Sequence, residues 1–358
     1  MSAVDALRER VSREVDSGYL PSAQIAVARH GELITFDTFG DPEVKQPRFV
    51  LQSVGRTVAA SVAWKLLGDG LLRLDERVAD VIPEFGANGK DVVTVEHALT
   101  HTGGFPFAPL GYPKMLDRAT RLASFGKWRL DTVPGEVLQY HLTSVAWLIA
   151  EFVERRDGRT MPAYLQEEIV APLGLTFGLA VPPAEQRATV APMRCTDGDG
   201  SEVDPWGPWY LNDPAVVAAG EPSHAVVGTA ADVALHYQAL LAALDGDDRI
   251  WAPTAVADAV RPHVVGVPAG DQLYGGGTVD TAMGLFVLVR GAGTPNLPST
   301  GSPETFGNSG AAYQAAFADP RSGLSFALLS NGYPKAGYDY SPRGRALLDD
   351  AVNLAALL

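Results

Sequence analysis

The stretch FVLQSVGRTVAASVAWKLLGDGLLRLDERVADVIPE occupies residues 49–84 and contains a serine followed by a long run of small and apolar residues. This run continues to about Leu67, and the glycine-containing turn at residues 68–70 is a typical helix terminator. The pattern predicts a helix that begins at Ser53. Arg56 stands three residues later, so it lies one turn further along the same face. A hydroxyl and a guanidinium are therefore expected side by side at a helix N-terminus.

The composition indicates a soluble, folded protein with an acidic surface. Of the 358 residues, 46% are hydrophobic, which is enough to form a sizeable core. The formal net charge of −14 argues against a nucleic-acid partner, because such partners require a basic surface. Solubility alone is sufficient reason for this acidity. We expect a small-molecule substrate and no nucleic-acid partner, and the sequence leaves the oligomeric state open.

The sequence also bears on the cellular location. Cys195 is the single cysteine, so an intrachain disulfide cannot form, which fits a reducing compartment. The N-terminus is charged and amphipathic, and it lacks the apolar segment of a secretory signal. No run of about 18 apolar residues is present, so we expect neither a membrane span nor a membrane partner. These features predict a cytoplasmic protein.

Helical and alternating patterns divide the chain into three parts. A helix and two strands are predicted first, a mainly helical block follows, and strands with a closing helix come last. The later strands are predicted at 281–289, 311–318 and 325–330, and helices at 143–154, 161–169, 230–243 and 343–358. The simplest assembly is a single α+β domain, 1–358, with both chain ends in one antiparallel sheet. Its sheet lobe spans about 1–50 and 265–358, its helical lobe about 51–264, and a cleft between them would hold the site.

Several longer segments resemble one known family, in that family's order. Besides residues 49–84, they are VTVEHALTHTGGF, PGEVLQYHLTSVAWLIAEFVERRDG and TFGNSGAAYQAAFADPRSGLSFALLSNG. Together they resemble the serine β-lactamase and penicillin-binding-protein-like family, nearest its class C β-lactamase, D-aminopeptidase and family VIII esterase branch. The resemblance extends from about residue 5 to 355. It implies a β-lactamase/transpeptidase-like fold, with an antiparallel sheet flanked by the N- and C-terminal helices.

In that family three motifs meet in the cleft, and each is only partly matched in this chain. The family's Ser-x-x-Lys corresponds to Ser53-Val54-Gly55-Arg56, and its Tyr-x-Asn corresponds to Tyr140-His141-Leu142. Its Lys/His-x-Gly strand motif corresponds to Asn308-Ser309-Gly310. The serine, the tyrosine and the last glycine match the family. Arg56 stands in place of the lysine, Leu142 in place of the asparagine, and Asn308 in place of the basic strand residue.

The largest departure is Arg56, because a guanidinium is effectively never neutral and cannot accept a proton from Ser53. No lysine nearby in sequence replaces the missing amine. The remaining base candidate is Tyr140, whose pKa the charge of Arg56 would lower. Two plainer alternatives are that Arg56 pairs with an acidic neighbour and that Tyr140 only packs.

The other motif positions affect substrate binding. His141 titrates near neutral pH but occupies a position that points away from the nucleophile in the family. Leu142 cannot hydrogen-bond a substrate amide, so the pocket should prefer apolar groups. Asn308 carries no charge to attract a carboxylate, and Ser309 could supply a hydroxyl instead.

The resemblance also implies an oxyanion hole built from two backbone N–H groups. These belong to the nucleophile and to the residue after the strand motif, here Ser53 and Ala311. Because backbone donors do not depend on side chains, this part of the acyl-transfer machinery should survive the substitutions.

The remaining candidates are less specific. Further candidate substrate contacts are His224, Trp206, Trp209 and Tyr313. His101 in LTHTGG is expected mainly to organise its turn. No group of His, Cys, Asp and Glu has metal-ligand spacing, so neither a metal nor a cofactor is expected.

These residues support three functional hypotheses. The first is a serine hydrolase or acyltransferase for small, fairly apolar esters or amides, with Ser53 as nucleophile and Tyr140 as base. The second is a repurposed enzyme that catalyses cyclisation, isomerisation or elimination, with Ser53, Tyr140 and Arg56 acting as fixed polar groups. The third is a binding protein without catalysis. Hydrolysis of β-lactams is disfavoured, because it needs fast proton transfer.

Overall fold

A seven-stranded antiparallel sheet organises the protein. The computed structural model describes residues 2–106, 108, 110, 113–196, 211–264, 268–269, 277–278, 282–294, 297–334 and 342–358. Strands are β1 (Ser22–Arg29), β2 (Glu32–Gly40), β3 (Phe49–Val50), β4 (Arg194–Cys195), β5 (Val227–Gly228), β6 (Pro268–Ala269), β7 (Gly277–Thr278), β8 (Ala282–Met283), β9 (Leu288–Val289), β10 (Phe306–Gly310), β11 (Gln314–Asp319), β12 (Leu324–Ser330) and β13 (Gly332–Tyr333). The large sheet has the order β2-β1-β12-β11-β10-β9-β8. Both chain ends therefore share one sheet, which confirms the predicted α+β class.

Helices cover this sheet and fill the middle of the chain. They are α1 (Ala3–Asp16), α2 (Arg56–Gly68), α3 (Val78–Val81), α4 (Val95–Leu99), α5 (Arg118–Phe125), α6 (Ser144–Arg156), α7 (Met161–Leu165), α8 (Ala171–Leu173), α9 (Pro183–Thr189), α10 (Pro214–Ala218), α11 (Ala230–Leu244), α12 (Pro253–Ala259) and α13 (Pro342–Ala355). In the part of the chain that the structure describes, no helix is long and apolar enough to cross a membrane. The boundaries of the two predicted lobes stay predictions.

Strand β1 shows why the sheet lies at the centre. Its residues alternate between two hydrophobic clusters, with Ile25 and Val27 in one and Ala26 and Ala28 in the other. The first cluster includes apolar residues of α1 and α13, and the second contains those of α2 and α11. Because both faces are covered, four consecutive residues of β1, Ile25 to Ala28, are apolar and buried, as is typical of a doubly buried strand.

Three predicted elements have different boundaries in the structure. The predicted strand 311–318 begins only at Gln314, because residues 311–313 form the turn from β10, with Ala312 and Tyr313 at positive φ. The predicted strand 281–289 is instead the hairpin β8–β9, closed by a hydrogen bond from the N–H of Gly284 to the carbonyl of Val287. The predicted helix 161–169 is α7 followed by a π-helical turn, Gln166–Val170.

The helix predicted from Ser53 also begins differently. A 3₁₀ turn, Gln52–Gly55, carries the serine, and the α-helix α2 starts only at Arg56. Gln52 adopts a left-handed conformation with φ of 48°, so the chain turns sharply just before the nucleophile position. Such residues are uncommon outside glycine and cluster at functional sites.

A glycine allows β10 to reach this turn. A Cβ atom on Gly310 would lie 3.1 Å from the backbone nitrogens of both Ser53 and Val54, and 3.2 Å from Cβ of Gln52. Contacts this short would require the backbone to shift by a few tenths of an ångström, so glycine is the residue that fits between the strand and the nucleophile turn without displacement. This close approach brings the strand motif of the sheet to Ser53.

The first prediction concerns this approach. Gly310→Ala should lower the free energy of unfolding by about 1–3 kcal/mol, because overpacking must move either β10 or the serine turn. Chemical denaturation of the purified variant measures the change. Gly293→Ala is the matched control, since its Cβ would meet no heavy atom within 4 Å. Equal stability of the two variants would show that β10 does not press on the turn.

Candidate active site

Ser53 sits in a turn that is tied to a second segment of the chain. The N–H of Gln52 donates to the carbonyl of His224 at 3.1 Å, and the N–H of Leu51 donates to that of Val226 at 2.8 Å. Ser53 itself is only 4% exposed. Its hydroxyl is therefore held in a nearly enclosed position in the 3₁₀ turn that precedes α2.

Tyr140 lies directly against this hydroxyl. Its Oη donates a hydrogen bond to Oγ of Ser53 at 2.9 Å, which is within reach for direct proton transfer. Burial raises the pKa of the Tyr140 phenol above its ordinary value, and the nearby charge of Arg56 and the hydrogen bond to Ser53 offset only part of that rise. The tyrosine is therefore a neutral phenol at neutral pH.

Arg56 is buried beside this pair, with 1% of its surface exposed. Its guanidinium carbon lies 4.0 Å from the ring centroid of Tyr140 and 5.5 Å from that of Phe286. Its two terminal nitrogens donate to the backbone carbonyls of His141, at 3.3 Å, and Leu142. The guanidinium thus lies on the face of the Tyr140 ring and hydrogen-bonds the backbone of the two residues that follow it.

The alternative in which Arg56 pairs with an acid finds no support within the described ranges, where no carboxylate forms an ion pair with it. Its Nε is moreover buried without a hydrogen-bond partner. A buried cation that lies on a phenol ring and donates its hydrogen bonds to neutral carbonyls stabilises negative charge on that phenol. The packing-only alternative for Tyr140 is likewise disfavoured, because its hydroxyl contacts Ser53 directly.

His141 is a structural residue, which corrects its candidacy as a substrate contact. Its Nδ1 shares a 2.6 Å hydrogen bond with the carbonyl of Gln139, and its Nε2 accepts the N–H of Phe105 at 3.2 Å. Burial lowers the pKa of His141 to about 3. Both ring nitrogens are thus occupied by backbone groups, and the imidazole is neutral.

Asn308 also has a structural partner rather than an open position. Its Nδ2 donates to Oγ1 of Thr57 at 2.8 Å, and that hydroxyl is 2.8 Å from Oη of Tyr237. Asn308 is 6% exposed. The amide of Asn308 therefore ties β10 to α2. Of the other motif residues, Ser309 is half-buried and Leu142 is 41% exposed.

The structure gives the side chains of His224 and Tyr313 partners other than Ser53. His224 is buried and its Nδ1 lies 3.3 Å from Glu221, so its ring is engaged, although its carbonyl supports the serine turn. Tyr313 is only 1% exposed and its Oη is 3.0 Å from that of Tyr19, within the cluster under α1 and α13. This burial corrects the candidacy of Tyr313 as a substrate contact. Trp206 and Trp209 lie outside the described residues.

Comparison with known proteins identifies the family. A family model described as Beta-lactamase matches residues 7–350. The chain belongs to the beta-lactamase family. Esterase EstB of Burkholderia gladioli is 28% identical over 371 residues, which cover 91% of this chain and 88% of the relative. The resemblance inferred from the motifs is thereby confirmed.

Solved structures agree with this assignment. A penicillin-binding protein homologue from Caulobacter crescentus is 27% identical, with a TM-score of 0.77 over 99% of this chain and 98% of its own. A family VIII carboxylesterase, 22% identical, shares the fold with a TM-score of 0.78 and coverage of 99% and 98%. Family membership and the esterase relative support a β-lactamase-related serine hydrolase.

Sequence reasoning missed two members of this beta-lactamase-family site. Phe286, at the turn of the β8–β9 hairpin, packs against Arg56 and adopts a positive φ of 64°. Thr57 joins Asn308 to Tyr237. No local sequence pattern distinguishes Phe286 as a site residue. Thr57 directly follows Arg56 in the nucleophile segment, but its role is shown only by its hydrogen bonds to Asn308 and Tyr237.

The second prediction concerns the charge on Arg56. Arg56→Met should raise the pKa of the Tyr140 phenol by about one unit or more, because a cation in contact no longer favours the phenolate. An ultraviolet difference titration of each protein against its Tyr140→Phe counterpart measures the phenol. Arg56→Lys, which retains a cation, is the control and should shift less. A pKa unchanged in Arg56→Met would mean that the charge does not act on Tyr140.

Proposed function

We propose that this protein is a serine hydrolase or acyltransferase for small, fairly apolar esters or amides. Ser53 is its nucleophile and Tyr140 its base, with Arg56 stabilising the tyrosinate. The observation that supports this proposal most directly is the 2.9 Å hydrogen bond between Tyr140 Oη and Ser53 Oγ beside a buried guanidinium. A hydroxyl and a titratable partner at this distance form the pair that nucleophilic catalysis requires.

The proposed reaction has two halves. In the first, Oγ of Ser53 attacks the acyl carbon while the ionised Tyr140 takes the hydroxyl proton, which it then passes to the leaving oxygen or nitrogen. In the second, water or an acceptor alcohol loses its proton to Tyr140 and attacks the acyl carbon; the bond to Oγ of Ser53 then breaks, and Tyr140 returns the proton to that oxygen. The oxyanion of each tetrahedral intermediate is assigned to the N–H groups of Ser53 and Ala311. The approach of β10 at Gly310 to the serine turn supports this assignment.

The apolar side chain of Leu142, the residue after His141, supports the proposed substrate class. Leu142 is 41% exposed, and its carbonyl accepts a hydrogen bond from Arg56. It therefore contributes apolar surface at a position where the family motif has an amide, and Asn308 is committed to Thr57 rather than to a substrate carboxylate. Uncharged short-chain esters should accordingly be better substrates than anionic β-lactams.

The third prediction tests the nucleophile. Incubation with a fluorophosphonate should add one phosphonyl group to the intact protein, and Ser53→Ala should remain unmodified. Peptide mass spectrometry should place the adduct on Ser53, and Ser61→Ala, which removes a nearby buried serine of α2, is the matched control. Turnover of an activated ester that persists in Ser53→Ala would overturn covalent catalysis and favour non-hydrolytic chemistry.

The fourth prediction concerns pH. Because the pKa of Tyr140 is raised above its usual value, the phenol stays protonated at pH 7 and the base form becomes more abundant as pH increases. The value of kcat/KM for an uncharged ester should thus increase about tenfold per pH unit between about pH 7 and 9. Tyr140→Phe should abolish this slope. A profile that is flat over this range, or one with an inflection near the usual pKa of histidine, would contradict Tyr140 as the base.

A further inference from the structure

His101 forms hydrogen bonds on both sides of Tyr140. Its carbonyl accepts the N–H of Gln139 at 2.9 Å, and its Nδ1 accepts the N–H of His141 at 3.1 Å. The residue is 2% exposed and adopts a left-handed conformation with φ of 59°. This conformation lets the backbone and the side chain of one residue bind the same short segment, with the tyrosine between the two contacts.

The imidazole also packs on the tyrosine itself. The ring centroids of His101 and Tyr140 are 4.9 Å apart with planes inclined by 30°, and those of His101 and Phe286 are 5.0 Å apart. Phe286 is in turn held by a hydrogen bond from its N–H to the carbonyl of Leu99 at 2.6 Å. The tyrosine ring is therefore in contact with a histidine as well as with Arg56, and it has little freedom to swing away from Ser53.

The protonation state of His101 suits this arrangement. Nδ1 accepts a backbone proton, so the ring proton of the neutral form must be on Nε2. Burial, together with the proximity of His141 and Arg56, keeps the pKa of His101 well below its usual range. The acceptor is thus preserved across the pH range in which the enzyme would work.

We propose that His101 is a positioning residue, which sets the approach of Tyr140 Oη to Ser53 Oγ through its hydrogen bond to the N–H of His141. The inference rests on the proposed function, since it gives His101 a purpose in proton transfer. The competing interpretation is that His101 only closes the turn after α4. In a variant that keeps the turn, the positioning role predicts that loss of the Nδ1 acceptor disturbs Tyr140 and Ser53. The turn-closing role predicts that it does not.

Two substitutions separate these interpretations. His101→Asn retains a side-chain acceptor two bonds from Cβ and tolerates the left-handed backbone. His101→Gly fits the same backbone without any acceptor. His101→Leu is a second variant without an acceptor, and it refills part of the volume of the ring. All three lack the stacked imidazole, so the acceptor is the systematic difference between the asparagine variant and the other two.

Two measurements are made on each folded variant, as judged by circular dichroism and thermal melting. One is the rate of fluorophosphonate labelling of Ser53, and the other is the pKa of Tyr140 by difference titration against the corresponding Tyr140→Phe protein. We expect His101→Asn to label within about threefold of the natural protein and an acceptor-free variant at least tenfold more slowly, because small misplacements of a reacting group are costly. The pKa of Tyr140 should also move further in the acceptor-free variants.

The outcomes distinguish this inference from the proposed function. Equal labelling rates and equal Tyr140 pKa values in the asparagine and acceptor-free variants would overturn the positioning role. If the natural protein is not labelled at all, the proposed function fails, and the titration alone then decides: different pKa values support the role and identical ones refute it. Should His101→Gly not fold, His101→Leu supplies the same comparison.

Discussion

The site depends on one buried charge that has no carboxylate partner in the described part of the chain. The guanidinium of Arg56 lies on the ring of Tyr140 and donates to the carbonyls of His141 and Leu142. One side chain therefore both supplies the positive charge next to the phenol and fixes the backbone after Tyr140. A permanently charged side chain in a nearly dry position is costly unless its surroundings are electron-rich. The phenol ring and the carbonyls are such surroundings, and they hold the tyrosine next to Ser53.

The rest of the fold supports this arrangement from three directions. The end of β10 approaches the serine turn at Gly310, His101 holds the tyrosine segment through its carbonyl and Nδ1, and Asn308 ties β10 to α2 through Thr57. Each contact joins parts of the chain far apart in sequence. Arg56 and Asn308, which replace the family's lysine and basic strand residue, thus both make structural contacts with other parts of the site.

Burial and charge act on Tyr140 in opposite directions. Burial raises the pKa of the phenol, whereas Arg56 and the hydrogen bond from Tyr140 to Ser53 lower it, and burial is the stronger effect. An arginine cannot relay a proton as a lysine can, so in the proposed mechanism the tyrosine does so alone. This constraint is the physical reason to expect an enzyme that is favoured by alkaline conditions and by easily cleaved acyl groups.

The amino-acid sequence alone indicated the α+β class and the joining of both chain ends in one sheet, which follow from periodicity, and the family, through the resemblance of long contiguous motifs to that family. It also indicated Ser53, Arg56 and Tyr140 as a group. Only the tertiary structure decided that His141 and Asn308 are committed to structural hydrogen bonds, that Tyr313 is in the core, and that Phe286 packs on Arg56. Orientation and burial depend on partners distant in sequence, and no local pattern specifies those partners.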